Sequence, residues 1–187
     1  MIPVIELVLD MRYDLGDMQG LNIADYELIK PLNKAAHLLY GTLSDRYVQA
    51  GVKRKPIVID SGKSYTLPPD FVRVHQVLRE RGLGLLPSIR NPPRECSYRI
   101  TGGELFAEEG EYTLEYYYMP SRVSRLDDNL DVPESMRSWI EDIAMAYYQK
   151  DMNKAVGITE KCCEVLAGRE VSHFEDTGPV QILGGRI

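Results

Sequence analysis

The spacing of apolar residues changes twice along this chain, and that change limits the possible folds more than any other feature. Leu28, Leu32, Ala35, Leu39 and Leu43 fall 4, 3, 4 and 4 apart, the interval of a helix face. From Ile57 to Met119 the period is mostly two, and turn residues are dense. Met136, Trp139, Ile140, Ile143, Ala144 and Tyr147 then restore the helical stripe. The expected class is α+β, mainly α: a helical bundle carrying a small antiparallel β-sheet insertion and an extended C-terminal tail. Residues 1–56 are expected to supply the N-terminal helices, 57–120 the strand-rich insertion, 121–170 the C-terminal helices and 171–187 the tail.

Local signals refine this plan. Pro3 to Tyr13 reads as a short helix, closed by Gly16 in a left-handed cap. Asp25 is the expected N-cap of a longer helix reaching about Ala50. Pro31 predicts either a kink near Glu27 or a regular start at Pro31, because its ring clashes with the carbonyl four residues back. Gly102-Gly103 joins Cys96–Thr101 to Glu104–Ala107 as a two-residue hairpin within a meander of short strands. In Tyr116-Tyr117-Tyr118, strand alternation groups the outer two in a core or interface and leaves Tyr117 partly exposed. Pro133 suits the first turn of a helix. A last helix is expected over about Lys154 to Ala167, stopped by Gly168. Beyond it, Phe174, Val180, Ile182, Leu183 and Ile187 are apolar in a stretch without helical periodicity, which predicts docking on the chain's own body or on a partner.

Composition narrows the chemistry. With 28 acidic and 22 basic residues the net charge is −6, which argues against a protein that coats duplex DNA. Three cysteines, two of them adjacent, make a poor disulfide framework and point to a reducing compartment. The first ten residues contain Glu6 and Asp10 and lack a basic leader, and no apolar run approaches the roughly 20 residues of a membrane span. A protein kept in a cytoplasm, with no membrane partner, is the expectation.

Motif by motif, catalysis finds little support. Ser61-Gly62-Lys63-Ser64 imitates the end of a phosphate-binding loop, but Ile57 stands where that loop needs glycine. Asp127, Asn129 and Asp131 imitate an EF-hand, but Val132 replaces its glycine and Ser138 its bidentate glutamate. His37, His75 and His173 have no metal-ligand spacing, and neither a CxxC nor a GxSxG motif occurs. No catalytic residue, metal ligand or cofactor is assigned. A small hydrolase using a carboxylate pair in the sheet region is the enzymatic alternative, and a free-standing binding module is another. Lys53-Arg54-Lys55 is the one basic run, read either as a solvated loop or as a contact to DNA or an acidic partner.

The order of four passages resembles the head-to-tail adaptor (connector) proteins of tailed bacteriophages, of the short-tailed type. The first passage is Met11-Arg12-Tyr13-Asp14-Leu15-Gly16-Asp17, followed by Asp25-Tyr26-Glu27-Leu28-Ile29 and Leu32-Asn33-Lys34-Ala35. The second is Tyr65-Thr66-Leu67-Pro68-Pro69-Asp70-Phe71, and the third Tyr98-Arg99-Ile100-Thr101-Gly102-Gly103. The fourth is Tyr116-Tyr117-Tyr118-Met119-Pro120, then Leu130-Asp131-Val132-Pro133-Glu134 leading into a helix that ends Ala146-Tyr147-Tyr148. The resemblance implies a ring of copies of this chain, typically twelve, bound under a portal protein in the virion neck. It also implies a tail or nozzle protein below, passage of double-stranded DNA through the lumen, and assembly in the host cytoplasm. On that reading the portal contact falls on Phe174, Val180, Ile182, Leu183 and Ile187, with Arg186 as polar anchor. A stopper that closes the neck channel, with the Gly82–Pro93 loop as plug, is the nearest alternative.

Overall fold

The computed structural model describes residues 1–79, 82–90, 93 and 96–175, with side chains to 168. Among them are four helices and nine strands in three sheets. The expected mainly helical bundle with a small insertion is therefore corrected: the molecule is α+β, with strands as central to the core as helices.

Strand β1 (Ile2–Pro3) pairs with β9 (Asn129–Leu130) and leads directly into α1 (Val4–Leu15). Gly16 takes φ 70°, the left-handed cap expected, and the Asp17 N–H closes the turn onto the Arg12 carbonyl at 2.9 Å. Helix α2 (Asp25–Asp45) begins one residue earlier than predicted, with Ala24 as N-cap. The Glu27 carboxylate accepts from the Ala24 N–H at 3.1 Å, so the acidic side chain at N3 does the capping. Pro31 neither starts nor ends α2; it lies inside, on the buried face, where packing of its ring offsets the lost backbone bond. The helix stops at Asp45, short of Ala50, because Tyr47 turns to φ 58° and a 3-10 turn, Gln49–Gly51, redirects the chain.

Strand β2 (Val52–Ile59) consequently starts at Val52 and takes in Lys53, Arg54 and Lys55, which a loop was expected to carry. It pairs antiparallel with β8 (Gly110–Tyr118), and β8 pairs on its other edge with β4 (Phe71–Arg79). The order β2-β8-β4 is not a meander, because the strand latest in sequence is central. The second sheet has the order β3 (Tyr65–Thr66), β7 (Glu104–Phe106), β6 (Ser97–Thr101), β5 (Leu86–Pro87), with β5 parallel to β6. Gly102 and Gly103 both have positive φ, as a tight β6–β7 hairpin requires.

A central strand covered on both faces explains the run of tyrosines. Tyr112, Leu114, Tyr116 and Tyr118 point into the main core. Tyr117 is fully buried as well, which corrects its expected partial exposure. The rings of Tyr47 and His75 meet it edge-on, and the Arg73 guanidinium lies 5.2 Å from its centroid. Gly51 allows this second layer to close: a Cβ there would sit 3.0 Å from that of Leu43 and 3.5 Å from the Tyr117 ring.

Helix α3 (Arg137–Tyr148) buries Ile140, Ile143, Ala144 and Ala146, while Trp139 is only partly buried at the core's edge. Helix α4 (Met152–Glu175) runs through Gly168, the predicted stop. A mid-helix glycine costs about 1 kcal/mol, and no proline follows until Pro179. Residues 171–175, expected in the extended tail, are thus helical; 176–187 lie outside the described residues. Cys162 and Cys163 are both buried, and burial pushes the Cys163 thiol up.

Candidate functional site

The expected portal-docking residues cannot be placed as a surface. Val180, Ile182, Leu183, Arg186 and Ile187 lie outside the described residues, and Phe174 is described only as backbone within α4. His173 stands in the same position.

The basic run at 53–55 is engaged within the fold. Lys53 Nζ donates to Asp70 Oδ2 at 2.8 Å and to Asp131, and sits 3.8 Å from the Tyr118 ring centroid. Arg54 Nε meets the buried Glu115 at 2.6 Å, and Lys55 lies over the Tyr65 ring. Burial works to lower the Lys53 ammonium, but Asp131 and Asp70 outweigh it and hold it above its ordinary value. Asp70 also accepts from the Tyr116 hydroxyl at 3.2 Å; burial first and that carboxylate second push the phenol up to about 12.

Glu115 sits on the outer face of the sheet, beside a hollow of about 200 Å³ lined also by Gln49, Val52, Arg54 and His75. Its carboxylate accepts from Gln76 as well as Arg54. The Glu115 carboxylate is thus taken by two donors of its own chain, and among the described residues no second carboxylate lines the hollow. Among the described residues no group of three or more His, Cys, Asp or Glu is arranged to hold a metal ion, and no helix is long and apolar enough to cross a membrane.

Two other surfaces carry unspent chemistry. The first is the outer side of α1. Val4, Leu7, Val8 and Met11 are buried, yet Ile5, Leu9 and Tyr13 are 47%, 45% and 73% exposed. They stand at i, i+4 and i+8, one apolar ridge along the helix. Beside it runs a parallel acidic row: Glu6, Asp10 and Asp14. Arg137, on α3, reaches Glu6, Asp10, Glu134 and Glu141, so one cation serves a carboxylate-rich face. Burial, then a hydrogen bond with Asp10 and that residue's charge, push the Glu141 carboxyl up to about 7 against the pull of Arg137.

The second surface is the side of α2 turned away from the core. Tyr26, Lys30 and Lys34 form one exposed i, i+4, i+8 row; the next, Ile29, Asn33 and His37, borders the core, with Ile29 buried and the other two half-buried. Between these rows and the segment around Arg122 and Ser124 lies a groove of about 410 Å³. Asn33 fixes its far wall, accepting from the Val123 N–H at 2.9 Å and donating to the Val123 carbonyl at 2.8 Å. A second hollow of about 360 Å³ adjoins the same lysine row, walled by Tyr147, Tyr148 and Lys150. Lys30, Lys34, Arg122 and Lys150 are exposed and make no ion pair among the described residues; Lys34 lies 5.6 Å from the Tyr147 ring centroid. His37 lines the groove, and its Nε2 is buried without a hydrogen-bond partner among the described residues.

The sequence concealed this patch because its four cations come from positions 30, 34, 122 and 150. The one usable signal was the pair Lys30 and Lys34 at helical spacing. No family model matches the chain, and no curated protein matches it in sequence.

Proposed function

We propose that this chain is a structural assembly protein with no catalytic step of its own: a head-to-tail adaptor that forms a ring beneath a phage portal and lets DNA pass. The observation that carries the reading is the α1 ridge. A helix already seated on the core through one apolar face has no reason of its own to expose three more large apolar side chains in line. The acidic excess agrees with a conduit, since a lumen rich in carboxylates does not retain the DNA sliding through it. The order of sequence passages supplies the adaptor identity, and Val180, Ile182, Leu183, Arg186 and Ile187, with Phe174, remain the proposed portal contact.

Electron micrographs of the full chain mixed with its portal protein test this. A ring seated on the portal is the expected image; absence of any association overturns the reading. Truncation after Glu175 spares α4 and should leave a folded protein that no longer joins the portal. A truncated form that binds equally well removes the tail from the contact.

One observation favours the stopper as a second reading. Leu83, Leu86 and Ile89 are 67%, 72% and 98% exposed in the segment between β4 and β6. Three bare apolar side chains in one short segment, Leu86 at its strand β5, would meet those of other copies and close a channel. A closed lumen in the same micrographs would select it.

A further inference from the structure

We propose that the α1 ridge of one copy packs into the α2 groove of a second copy, so that copies join head to tail. The inference deepens the assembly reading and rests on it for bringing copies together; the contact itself is argued from the two surfaces.

Their chemistry is complementary. The ridge presents Ile5, Leu9 and Tyr13 with an acidic flank of Glu6, Asp10 and Asp14, where three carboxylates outnumber the single cation, Arg137, that reaches the first two. The groove presents the exposed Tyr26 ring, above the buried Ile29, with Lys30, Lys34 and Arg122 on its rims, cations that make no ion pair among the described residues. In a chain of net charge −6, a patch of free cations is the feature that an acidic helix of the same chain would select.

Their geometry matches too. Ridge and groove both follow i, i+4, i+8 rows, and each spans about 12 Å at 1.5 Å per residue. A ridge of this kind laid along a row of the same spacing is the commonest way for helices to pack, and here the Tyr26, Lys30 and Lys34 row is the exposed one. The ridge and the Tyr26, Lys30 and Lys34 row are both exposed on a single chain, so each is open to a second copy. Ridge and groove are different surfaces, so the contact is heterologous. It leaves one copy with a free groove and the other with a free ridge, and it propagates until it closes.

Site-directed disulfides test it on the full chain. With exposed Cys96 changed to Ser, Leu9→Cys and Lys34→Cys are made separately and together. Mild oxidation of the mixed single variants should give a dimer, and the double variant should give a ladder of multimers. Adding Lys30→Glu to the double variant should weaken the ladder about tenfold or more, since a like charge then faces the acidic row. A dimer of Leu9→Cys alone as strong as that of the mixture would make the contact two-fold and overturn the proposal. Rings on the portal without the cross-link would overturn this contact and leave the adaptor reading standing. A ladder without portal binding would uphold the contact and remove that reading. Loss of duplex-DNA retardation in Lys30→Glu/Lys34→Glu, with self-association unchanged, would assign the groove to nucleic acid and overturn the proposal.

Discussion

Two groups of cations in this chain meet opposite fates. Lys53, Arg54 and Lys55 are contiguous, and each is taken by a carboxylate or a ring of the same chain. Lys30, Lys34, Arg122 and Lys150 are scattered, yet they converge around two adjoining hollows and keep their charge for something else. The difference lies in what faces them. Strand β2 runs beside Asp70, Asp131 and Glu115, whereas the two carboxylates in the first turn of α2, Asp25 and Glu27, are taken by Arg12 and by the Ala24 N–H. A basic run in sequence therefore marks neither a binding site nor a loop; the unpaired remainder after folding is what a partner can use.

The largest effect should come from the cation most completely consumed by the fold. Arg12 is buried; it donates to Asp17 at 2.8 Å, to Asp25 at 2.6 Å and to the Ile23 carbonyl at 2.8 Å. Asp17 in turn accepts from the Leu21, Asn22 and Ile23 N–H groups, which pins the whole α1–α2 loop. Arg12→Met leaves a buried carboxylate without its cation and should cost about 3 kcal/mol. The midpoint of urea unfolding measures it, and a near-wild-type midpoint would mean that the loop is held by the backbone alone.

Lys53→Met comes next. Its ammonium is partly exposed, and the two carboxylates it joins can be rehydrated. The expected loss is about 1–2 kcal/mol in the same measurement. Unchanged stability combined with weakened partner binding would erase the contrast between the two groups.

Glu141 sharpens the comparison from the acidic side. Its folded pKa of about 7 lies above the ordinary glutamate value near 4.3. Between those values the native state holds a proton that the unfolded chain has released. Stability from this group is thus greatest at the acidic end of that window, and it falls as pH rises toward 7. Asp17 and Asp128 act oppositely. Burial works to raise Asp17, but backbone N–H groups outweigh it, and both carboxyls are held below their ordinary value; their contribution is lost as pH falls below about 4. Melting curves from pH 4.5 to 8 should therefore slope downward. Glu141→Gln should flatten the slope, and an unaltered slope would place its origin elsewhere.

The periodicity of the chain foretold the helices and the Gly102-Gly103 hairpin, because local spacing and turn chemistry govern those. It misjudged the balance of the fold through β8. A central strand covered on both faces looks like an aromatic run rather than an alternating strand, and the layer that buries Tyr117 comes from residues 40 to 70 positions away. Lys53 was mistaken for loop because nothing local reveals that Asp70 and Asp131 will stand beside it. The α1 ridge was partly legible: the stretch from Pro3 to Tyr13 that carries it was read as a helix. Which apolar face would stay bare was not, since that depends on where α2 and α3 fit.

The smallest effect is the most discriminating. Lys30→Gln together with Lys34→Gln removes two charges that no carboxylate among the described residues pairs with. The folded state loses a distant contact between Lys34 and the Tyr147 ring, about 0.5 kcal/mol at an exposed site. The unfolding midpoint should stay close to that of the wild type, while Lys53→Met shifts it clearly. If both lysines stabilise the monomer as strongly as Lys53 does, they have hidden partners within the chain, and the α2 groove is a structural seam. If stability is unmoved while the ladder from Leu9→Cys and Lys34→Cys collapses when Lys30→Gln is added, the leftover cations act only between molecules. Folding and assembly would then draw on separate sets of the same residue type, a division that follows from which carboxylates each set faces.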